Sequence, residues 1–347
     1  MEEGRVRVQL FALRRLMTPS PVSPLVSVLI ITYNHEKYIA ETLDSVLMQE
    51  VDFDYEIVIG EDASSDGTRD ILLKYENENS QRIRLIFHDR VDAEQDRARG
   101  LGGKRNFVET LNACRGTFVA ILDGDDSWTS PKKLQKQVDF LNAHQDYAMC
   151  CHRAAMIDER GDVVTLHPVD GTKEALGIED LLENNFVNAS SVMFRRGLFR
   201  EFPAWHSDMP IGDWTLHVLN AQHGAIGYTS EVMANYRIHT GGYWSRVSAN
   251  KQIDWLLRFY EHINEHLDFR YNKIIGPKLF LLRYSLSIQA AARGDRRTAN
   301  ALGYKCFTAS PLHRHWSYRF KLLIKLYTPV ILKKRFEPVL VFFRTHS

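Results

Sequence analysis

The sequence of 347 residues lacks three features, and each absence excludes a class of protein. It has no apolar run of roughly 18 residues, so we expect no transmembrane helix. Its formal net charge is only +1, so no overall field favours nucleic acid as a partner. Its four cysteines show no C-x-x-C spacing, which favours free buried thiols in a reducing compartment over a disulfide framework.

The beginning of the chain also lacks the features of a signal peptide. "MEEGRVRVQLFALRRLMTPSPVSP" starts acidic, has no uninterrupted apolar segment and ends in Pro/Ser punctuation. We therefore expect a cytoplasmic protein, with residues 1–23 as an N-terminal extension outside the first domain.

From Ser27 onward, short apolar runs alternate with segments whose apolar residues have helical spacing. The runs "SVLIITY", "YEIVIGED", "RIRLIFH" and "TFVAIL" are typical of strands buried on both faces, as parallel strands are. Strands that alternate with helices predict βαβ units with right-handed crossovers. The fold class is therefore α/β, with a Rossmann-like, mostly parallel central sheet flanked by helices.

The second half of the sequence has a different pattern. "YAMCCHRAAMIDERGDVV" predicts two strands joined by a turn, residues 178–184 a short helix, "NASSVMFRR" a strand, "DWTLHVLNAQHG" a helix and "MANYRIH" a last strand. Beyond Gly242 the pattern is helical, with a hairpin turning at Gly294. We predict one main domain over 24–245 and a C-terminal helical region over 246–347.

The motif "LDGDD", residues 122–126, follows a strand-like run with three aspartates in four positions. Carboxylates this close raise each other's pKa values unless a cation or several hydrogen-bond donors share the site. Capping of the next helix explains one aspartate but not Asp123, Asp125 and Asp126 together. Oxygen ligands at a strand end suit a hard cation such as Mg²⁺ or Mn²⁺, so the motif predicts a metal site.

Polar residues end two further predicted strands. Asp62 follows the second strand within "GEDASSDGT", which taken alone is typical of an ordinary turn, and "TYN" of residues 32–34 ends the first strand. In open α/β sheets ligands bind outside the carboxyl ends of the strands. We therefore expect these groups and the aspartates of "LDGDD" to line one crevice.

Three ordered blocks together resemble family 2 nucleotide-sugar glycosyltransferases with the GT-A fold. These are "VSVLIITYNHEKYIAETLDSVLMQ", "EIVIGEDASSDGT" and "GKRNFVETLNACRGTFVAILDGDDSW", and the resemblance covers about residues 24–245. It implies a nucleotide diphosphate sugar as donor, usually UDP-linked, and a divalent cation, Mn²⁺ or Mg²⁺. It also implies inverting transfer to a hydroxyl of a saccharide or lipid-linked saccharide acceptor, and no nucleic acid partner.

The resemblance assigns roles to matching positions. Asp213, which opens a predicted helix, takes the place of the catalytic base, with helix capping as the alternative. Asp125 takes the place of a metal ligand, and His239 is either a second ligand or a structural strand-end histidine. Which basic residue faces the diphosphate is left open by the long, charged link before residue 104. The positions that match the nucleotide site are Thr32, Tyr33, Asn34, Asp62, Lys104, Arg105, Asn106, Asp123, Gly124 and Arg237.

Two other functions stay open at the level of the sequence. A sugar nucleotidyltransferase uses a similar sheet, but its Gly-rich basic loop has no counterpart in "TYNHEKY". A non-catalytic nucleotide- or carbohydrate-binding module would release no nucleotide from a donor. The segment 314–344 carries eight Lys/Arg and one Glu among apolar residues, which predicts either contact with the inner membrane face or packing on the catalytic domain.

Overall fold

Strands and helices alternate along the chain from Val26, as the apolar pattern predicts. The computed structural model describes residues 23–168, 173, 175–242 and 244–308. The first half contains β1 (Val26–Thr32), α1 (Ile39–Leu47), β2 (Tyr55–Glu61), α2 (Thr68–Glu78), β3 (Ile83–Phe87), α3 (Arg90–Ala98), α4 (Lys104–Ala113), β4 (Phe118–Asp123), β5 (Ser127–Trp128) and α5 (Lys133–Ala143). The second half contains β6 (Tyr147–Ile157), β7 (Val163–His167), β8 (Ala175–Leu176), α6 (Ile178–Glu183), β9 (Met193–Arg195), α7 (Asp213–Ala221), β10 (Ala225–Arg237), α8 (Ala249–His266), α9 (Asn272–Ala292) and α10 (Arg296–Thr308).

The strands form one mixed sheet in the order β3-β2-β1-β4-β9-β6-β10-β5, with β7 beside β6 and β8 beside β10. β3, β2, β1 and β4 are parallel neighbours, and β6 pairs in parallel with β10. The short β9 joins these two parallel groups by antiparallel pairing with β4 and β6. The predicted α/β class with a mostly parallel central sheet is confirmed.

Both faces of the sheet are buried, which explains the continuous apolar runs. Along β1, Val28 and Ile30 pack with Ile39 and Leu43 of α1 on one face. Leu29 points to the other face, into a core that α4, α7 and α8 help to close. Burying an Ile or Leu side chain contributes about 1.5–3 kcal/mol, so covering both faces with helices is strongly favoured.

One predicted strand is largely replaced by a tight helical turn. Residues Ala189–Ser191 of "NASSVMFRR" form a 3₁₀ helix, and only Met193–Arg195 are extended. The Asn188 side chain accepts hydrogen bonds from the backbone N–H and the hydroxyl of Ser190. Short polar side chains offer the backbone such local partners, and here they outweigh the strand tendency of the segment.

The helical hairpin predicted beyond Gly242 is present, since α9 ends at Ala292 and α10 begins at Arg296. Gly294 lies in the connection with φ of +83°, a conformation that glycine adopts without strain. Within the described ranges no helix has the length and apolar character needed to cross a membrane. Most of the N-terminal extension and the whole of 314–344 lie outside the described residues, and the three-part division of the chain stays a prediction.

Candidate active site

Three strand ends meet at one edge of the sheet. Parallel pairing sets Thr32 of β1 opposite Glu61 of β2, and Ile31 opposite Asp123 of β4. The backbone N–H of Asp62 donates to the Thr32 carbonyl at 3.0 Å, directly beyond the last paired residues. The structure therefore brings the polar groups after β1, β2 and β4 to the same edge.

His35, Asp125 and His239 bring their ligand atoms together at this edge and form the candidate metal-ligand set. Oδ2 of Asp125 lies 2.9 Å from Nε2 of His239 and 3.6 Å from Nε2 of His35. One ligand atom from each of the three residues lies within 4.8 Å of the others, an arrangement that can hold a metal ion. Sequence reasoning missed His35, although its place directly after "TYN" at the end of β1 offered a signal.

Hydrogen bonding and burial prepare these side chains for a cation. Burial is the main cause that lowers the pKa of His35, and metals bind the neutral imidazole. Nδ1 of His35 lies 3.2 Å from Oγ1 of Thr32, which leaves Nε2 directed to Asp125. Burial acts to raise the pKa of Asp125, but the hydrogen bond with His239 and the charges of both histidines outweigh it and lower the pKa.

The other two aspartates of the motif have different environments. Burial, followed by the charges of Asp125 and Asp213, raises the pKa of Asp123 to about 8. Oδ1 of Asp126 accepts the backbone N–H of Arg237 at 2.9 Å, while Oδ2 has no partner among the described residues. Burial and the neighbouring carboxylates raise the pKa of Asp126 as well. A cation at the cluster would relieve this repulsion.

Gly124 allows the aspartate loop, residues 123–126, to approach β1 closely. A Cβ atom at this position would lie 2.7 Å from Cβ of Thr32 and 2.8 Å from Nδ1 of His35. Its carbonyl accepts a hydrogen bond from the Thr42 hydroxyl at 3.1 Å. A larger residue would push Thr32 and His35 away from Asp125.

Asp62 and Tyr33 lie beside a basic residue that sequence reasoning did not single out. The Arg97 guanidinium donates to the Asp62 carboxylate at 3.0 Å and to its carbonyl at 2.9 Å. The same guanidinium lies 4.1 Å from the centre of the Tyr33 ring. Burial raises the pKa of Asp62, and the Arg97 charge opposes this. Arg97 comes from α3, which forms in the long charged link of the sequence.

Asn34 closes the same side of the crevice from a strained backbone position. Its φ is +56°, in the left-handed region that Asn tolerates better than most residues. Its Oδ1 accepts the backbone N–H of Ser65 at 2.8 Å, and its own N–H donates to the Ser64 hydroxyl at 2.9 Å. These bonds tie the loop after β1 to the loop after β2.

The side chains of Lys104, Arg105 and Asn106, the "KRN" of the third sequence block, contact protein groups outside the candidate metal-ligand set. Arg105 forms ion pairs with Asp92 and Asp96 of α3, and the Lys104 ammonium lies 2.7 Å from Nε2 of His206. Asn106 is buried and donates to the Gly60 carbonyl at 2.9 Å. The side chains of these three residues are therefore engaged within the protein itself.

We expect Asn106→Ala to destabilise the fold without weakening nucleotide binding. The change removes a buried side-chain hydrogen bond to the Gly60 carbonyl, which costs about 0.5–1.5 kcal/mol. Urea denaturation measures the free energy of unfolding, and calorimetric titration with UDP and Mn²⁺ measures affinity. A loss of UDP affinity at an unchanged free energy of unfolding would instead favour the direct nucleotide contact that the family resemblance implies.

Arg237 links the aspartate loop to α1 through a hydrogen bond and an ion pair. Its Nε donates to the Asp125 carbonyl at 3.1 Å, and one terminal nitrogen pairs with Glu41 at 2.8 Å. Two other basic residues, Lys37 and Arg246, line a cavity of about 390 Å³ together with His239 and the acidic residues Glu36, Asp66 and Glu159. Both side chains are exposed, and Nε of Arg246 donates to the Thr240 carbonyl at 3.2 Å.

Asp213 is the first residue of α7 and is half-buried. The N-cap position belongs to Gly212, so Asp213 does not cap the helix. Its charge contributes to the raised pKa values of Asp123 and of Tyr236 on β10. The candidate base and the aspartate motif therefore lie close to each other, although they are far apart in sequence.

Comparison with known proteins identifies the family. The sequence profile described as "Glycosyl transferase family 2" matches residues 27–202, about half of the chain. The chain belongs to glycosyl transferase family 2. An uncharacterized protein of Mycobacterium tuberculosis is 36% identical over 233 residues, which are 67% of this chain but only 64% of that protein. The putative teichuronic acid biosynthesis glycosyltransferase TuaG of Bacillus subtilis is 30% identical over 230 residues, 66% of this chain and 83% of TuaG.

The fold agrees with membership of family 2. A crystal structure of S. aureus TarS, residues 1–349, superposes with a TM-score of 0.50 and 17% identity, covering 83% of this chain and 93% of the other. At this identity the likeness concerns the fold alone. The curled, mostly parallel sheet with flanking helices is that of the GT-A glycosyltransferases.

Proposed function

We propose that this protein is a metal-dependent, inverting glycosyltransferase that moves a sugar from a nucleotide diphosphate sugar to an acceptor hydroxyl. The observation that carries the proposal is the proximity of two groups. The first group is the metal-ligand set His35, Asp125 and His239. The second is Asp213, whose charge acts on Asp123 of the same loop.

The ligand set fits a divalent cation because it combines one carboxylate with two imidazoles, which are common metal ligands in proteins. A cation held there supplies Lewis-acid stabilisation of the departing diphosphate, worth several kcal/mol. Lys37 and Arg246 line the adjoining cavity beside three acidic residues, and we assign these two cations to the same leaving group. Tyr33 and Asn34 line the same cavity, and Asp62 follows the neighbouring strand end, so we assign the nucleobase and ribose to these residues.

We assign Asp213 the role of the base that takes the proton from the acceptor hydroxyl. An alcohol attacks the sugar carbon poorly until its proton can leave, and a positioned carboxylate contributes roughly 10²–10⁴ in rate. A single displacement with one base inverts the configuration of the sugar carbon and forms no covalent enzyme intermediate. UDP is the nucleotide we expect, from the resemblance of the three sequence blocks.

The acceptor is proposed to be a saccharide of a cell-surface polymer, free or linked to a lipid. The similarity to TuaG, a putative teichuronic acid biosynthesis glycosyltransferase, supports this class of acceptor. A sugar nucleotidyltransferase and a non-catalytic binding module remain the alternatives. The first would form a sugar nucleotide from a sugar phosphate, and the second would release no nucleotide.

Thermal stability with a panel of nucleotides tests the donor and the cation. We expect UDP with Mn²⁺ to stabilise the full chain by about 2.7 kcal/mol at 100 times Kd, and EDTA to abolish the effect. GDP and dTDP with the same cation are the controls for the base. Equal UDP affinity with and without the cation would contradict the metal-bridged site, while release of UDP from UDP-sugars separates an enzyme from a binding module.

A further inference from the structure

Lys104 is a buried lysine that lies away from the metal-ligand set. It is the first residue of α4 and only 9% exposed. Its Nζ lies 2.7 Å from Nε2 of His206, 102 residues further along the chain. An ammonium group has three N–H donors, so this contact leaves two of them for other acceptors.

His206 fixes the position of the Lys104 ammonium. The imidazole is 2% exposed and stacks on the Phe202 ring at 3.9 Å, with 9° between the planes. It also forms a hydrogen bond with the backbone of Gly212. Burial and the Lys104 charge lower the pKa of His206 to about 3, so the ring is neutral and accepts a hydrogen bond from Lys104. His206 therefore joins the start of α4 to the start of α7.

The ammonium lies against the residue that precedes the candidate base. A Cβ atom added to Gly212 would be 3.3 Å from Nζ of Lys104. Burial lowers the pKa of Lys104 to about 7, and the negative charge of Asp213 opposes this lowering. A buried cation needs a nearby anion, and Asp213 meets this need.

Several titratable groups act on Asp213 from the elements around it. His217 lies one turn further along α7, and burial lowers its pKa to about 4, so it is neutral. Asp123 at the end of β4 and Tyr236 on β10 contribute a carboxyl and a phenol. Of these groups and Lys104, only Lys104 carries a positive charge below pH 7.

We propose that Lys104 is a positioning residue for Asp213: its ammonium, anchored by His206 beside Gly212 at the start of α7, holds the Asp213 carboxylate in place to accept the acceptor proton. The inference rests on the proposed function, because it requires Asp213 to be the base. It also assigns Lys104, which the sequence blocks match to the nucleotide site, to the acceptor side of the reaction.

Carbon-13 NMR of the full chain with labelled aspartate carboxyls tests the inference without a known acceptor. The signal of Asp213 is the one missing from Asp213→Asn, and its titration is followed from pH 4 to 8. An opposite charge within about 4–6 Å favours a carboxylate by about 1–3 pH units. We therefore expect Lys104→Gln to move the Asp213 titration upward by at least about one unit.

Lys104→Gln is informative because it keeps a hydrogen-bond donor for His206 but removes the charge. Lys104→Met removes both and serves as the second variant. Turnover of UDP-glucose, UDP-N-acetylglucosamine and GDP-mannose with Mn²⁺ and water as acceptor gives an independent profile. The acidic limb of the pH–rate profile should move to higher pH in both variants. The difference in rate from the unaltered chain should shrink above pH 7, where Lys104 itself becomes neutral.

Lys133→Met is the matched control. Lys133 is a second buried lysine whose pKa burial lowers to about 7, but it lies over the Trp128 ring at 3.9 Å and not beside Asp213. This variant should leave the Asp213 titration unchanged. An unchanged titration in Lys104→Gln would overturn the inference and leave Lys104 a packing role. Full turnover in Asp213→Asn would instead overturn the proposed base, whatever the Lys104 variants do.

Discussion

Asp213→Asn is expected to lower sugar transfer at least about a hundredfold while donor binding stays nearly intact. The amide cannot take a proton from the acceptor hydroxyl, and a hundredfold is the low end for the loss of a general base. Asn has almost the same volume as Asp, so the packing of α7 on the sheet is preserved. Steady-state turnover and calorimetric titration with UDP and Mn²⁺ give the two quantities.

The competing role of Asp213 is electrostatic stabilisation of α7. A carboxylate in the first turn of a helix contributes about 0.3–1 kcal/mol through the helix dipole. A variant that melts earlier but keeps near-native kcat would assign Asp213 this role and place the base elsewhere. Asp208→Asn is the matched control, because Asp208 is an exposed carboxylate paired with Arg99 and should leave turnover unchanged.

The parts of the fold that could be predicted are those where local pattern and tertiary burial agree. β1 and β2 have almost every side chain buried, so their apolar runs reveal them directly. The edge that gathers Asp62 and Asp123 followed from parallel pairing alone, since parallel strands end on the same side. The 3₁₀ turn at Ala189–Ser191 was not predictable in this way, because side-chain bonds from Asn188 decide it.

The partners of site residues could not be predicted because they come from distant segments. His35 meets His239 at Asp125 only after β10 has returned to the sheet edge beside β5. Arg97 reaches Asp62 because the charged link folds into α3, which the alternation pattern did not indicate. The aspartate motif and the family resemblance therefore named Asp125, His239 and Asp213 as candidates, but not His35 or the side chains that surround them.

The donor set of His35, Asp125 and His239 predicts a preference among divalent ions. Two imidazoles and one carboxylate suit transition metals, whereas Mg²⁺ favours sites made of oxygen ligands. We therefore expect the full chain to bind Mn²⁺ more tightly than Mg²⁺, even without nucleotide. Electron paramagnetic resonance of free Mn²⁺, with Mg²⁺ added as competitor, measures both affinities without any turnover.

Asp125→Asn is expected to weaken Mn²⁺ binding at least about a hundredfold, because it removes the only carboxylate of the set and its charge. Mutation of a residue that only supports a metal ligand lowers metal affinity by about 10–100-fold. Loss of a direct ligand should therefore lower the affinity by at least the upper end of that range. His35→Gln separates a three-residue site from the pair Asp125 and His239: a true ligand loses affinity, whereas a hydrogen-bond partner of Thr32 changes only stability. His144→Gln, on the ring cluster with Phe140 and Tyr147, controls for the loss of an imidazole elsewhere. Unchanged Mn²⁺ affinity in Asp125→Asn would remove the cation from this cluster, and the repulsion among its aspartates would then need another partner.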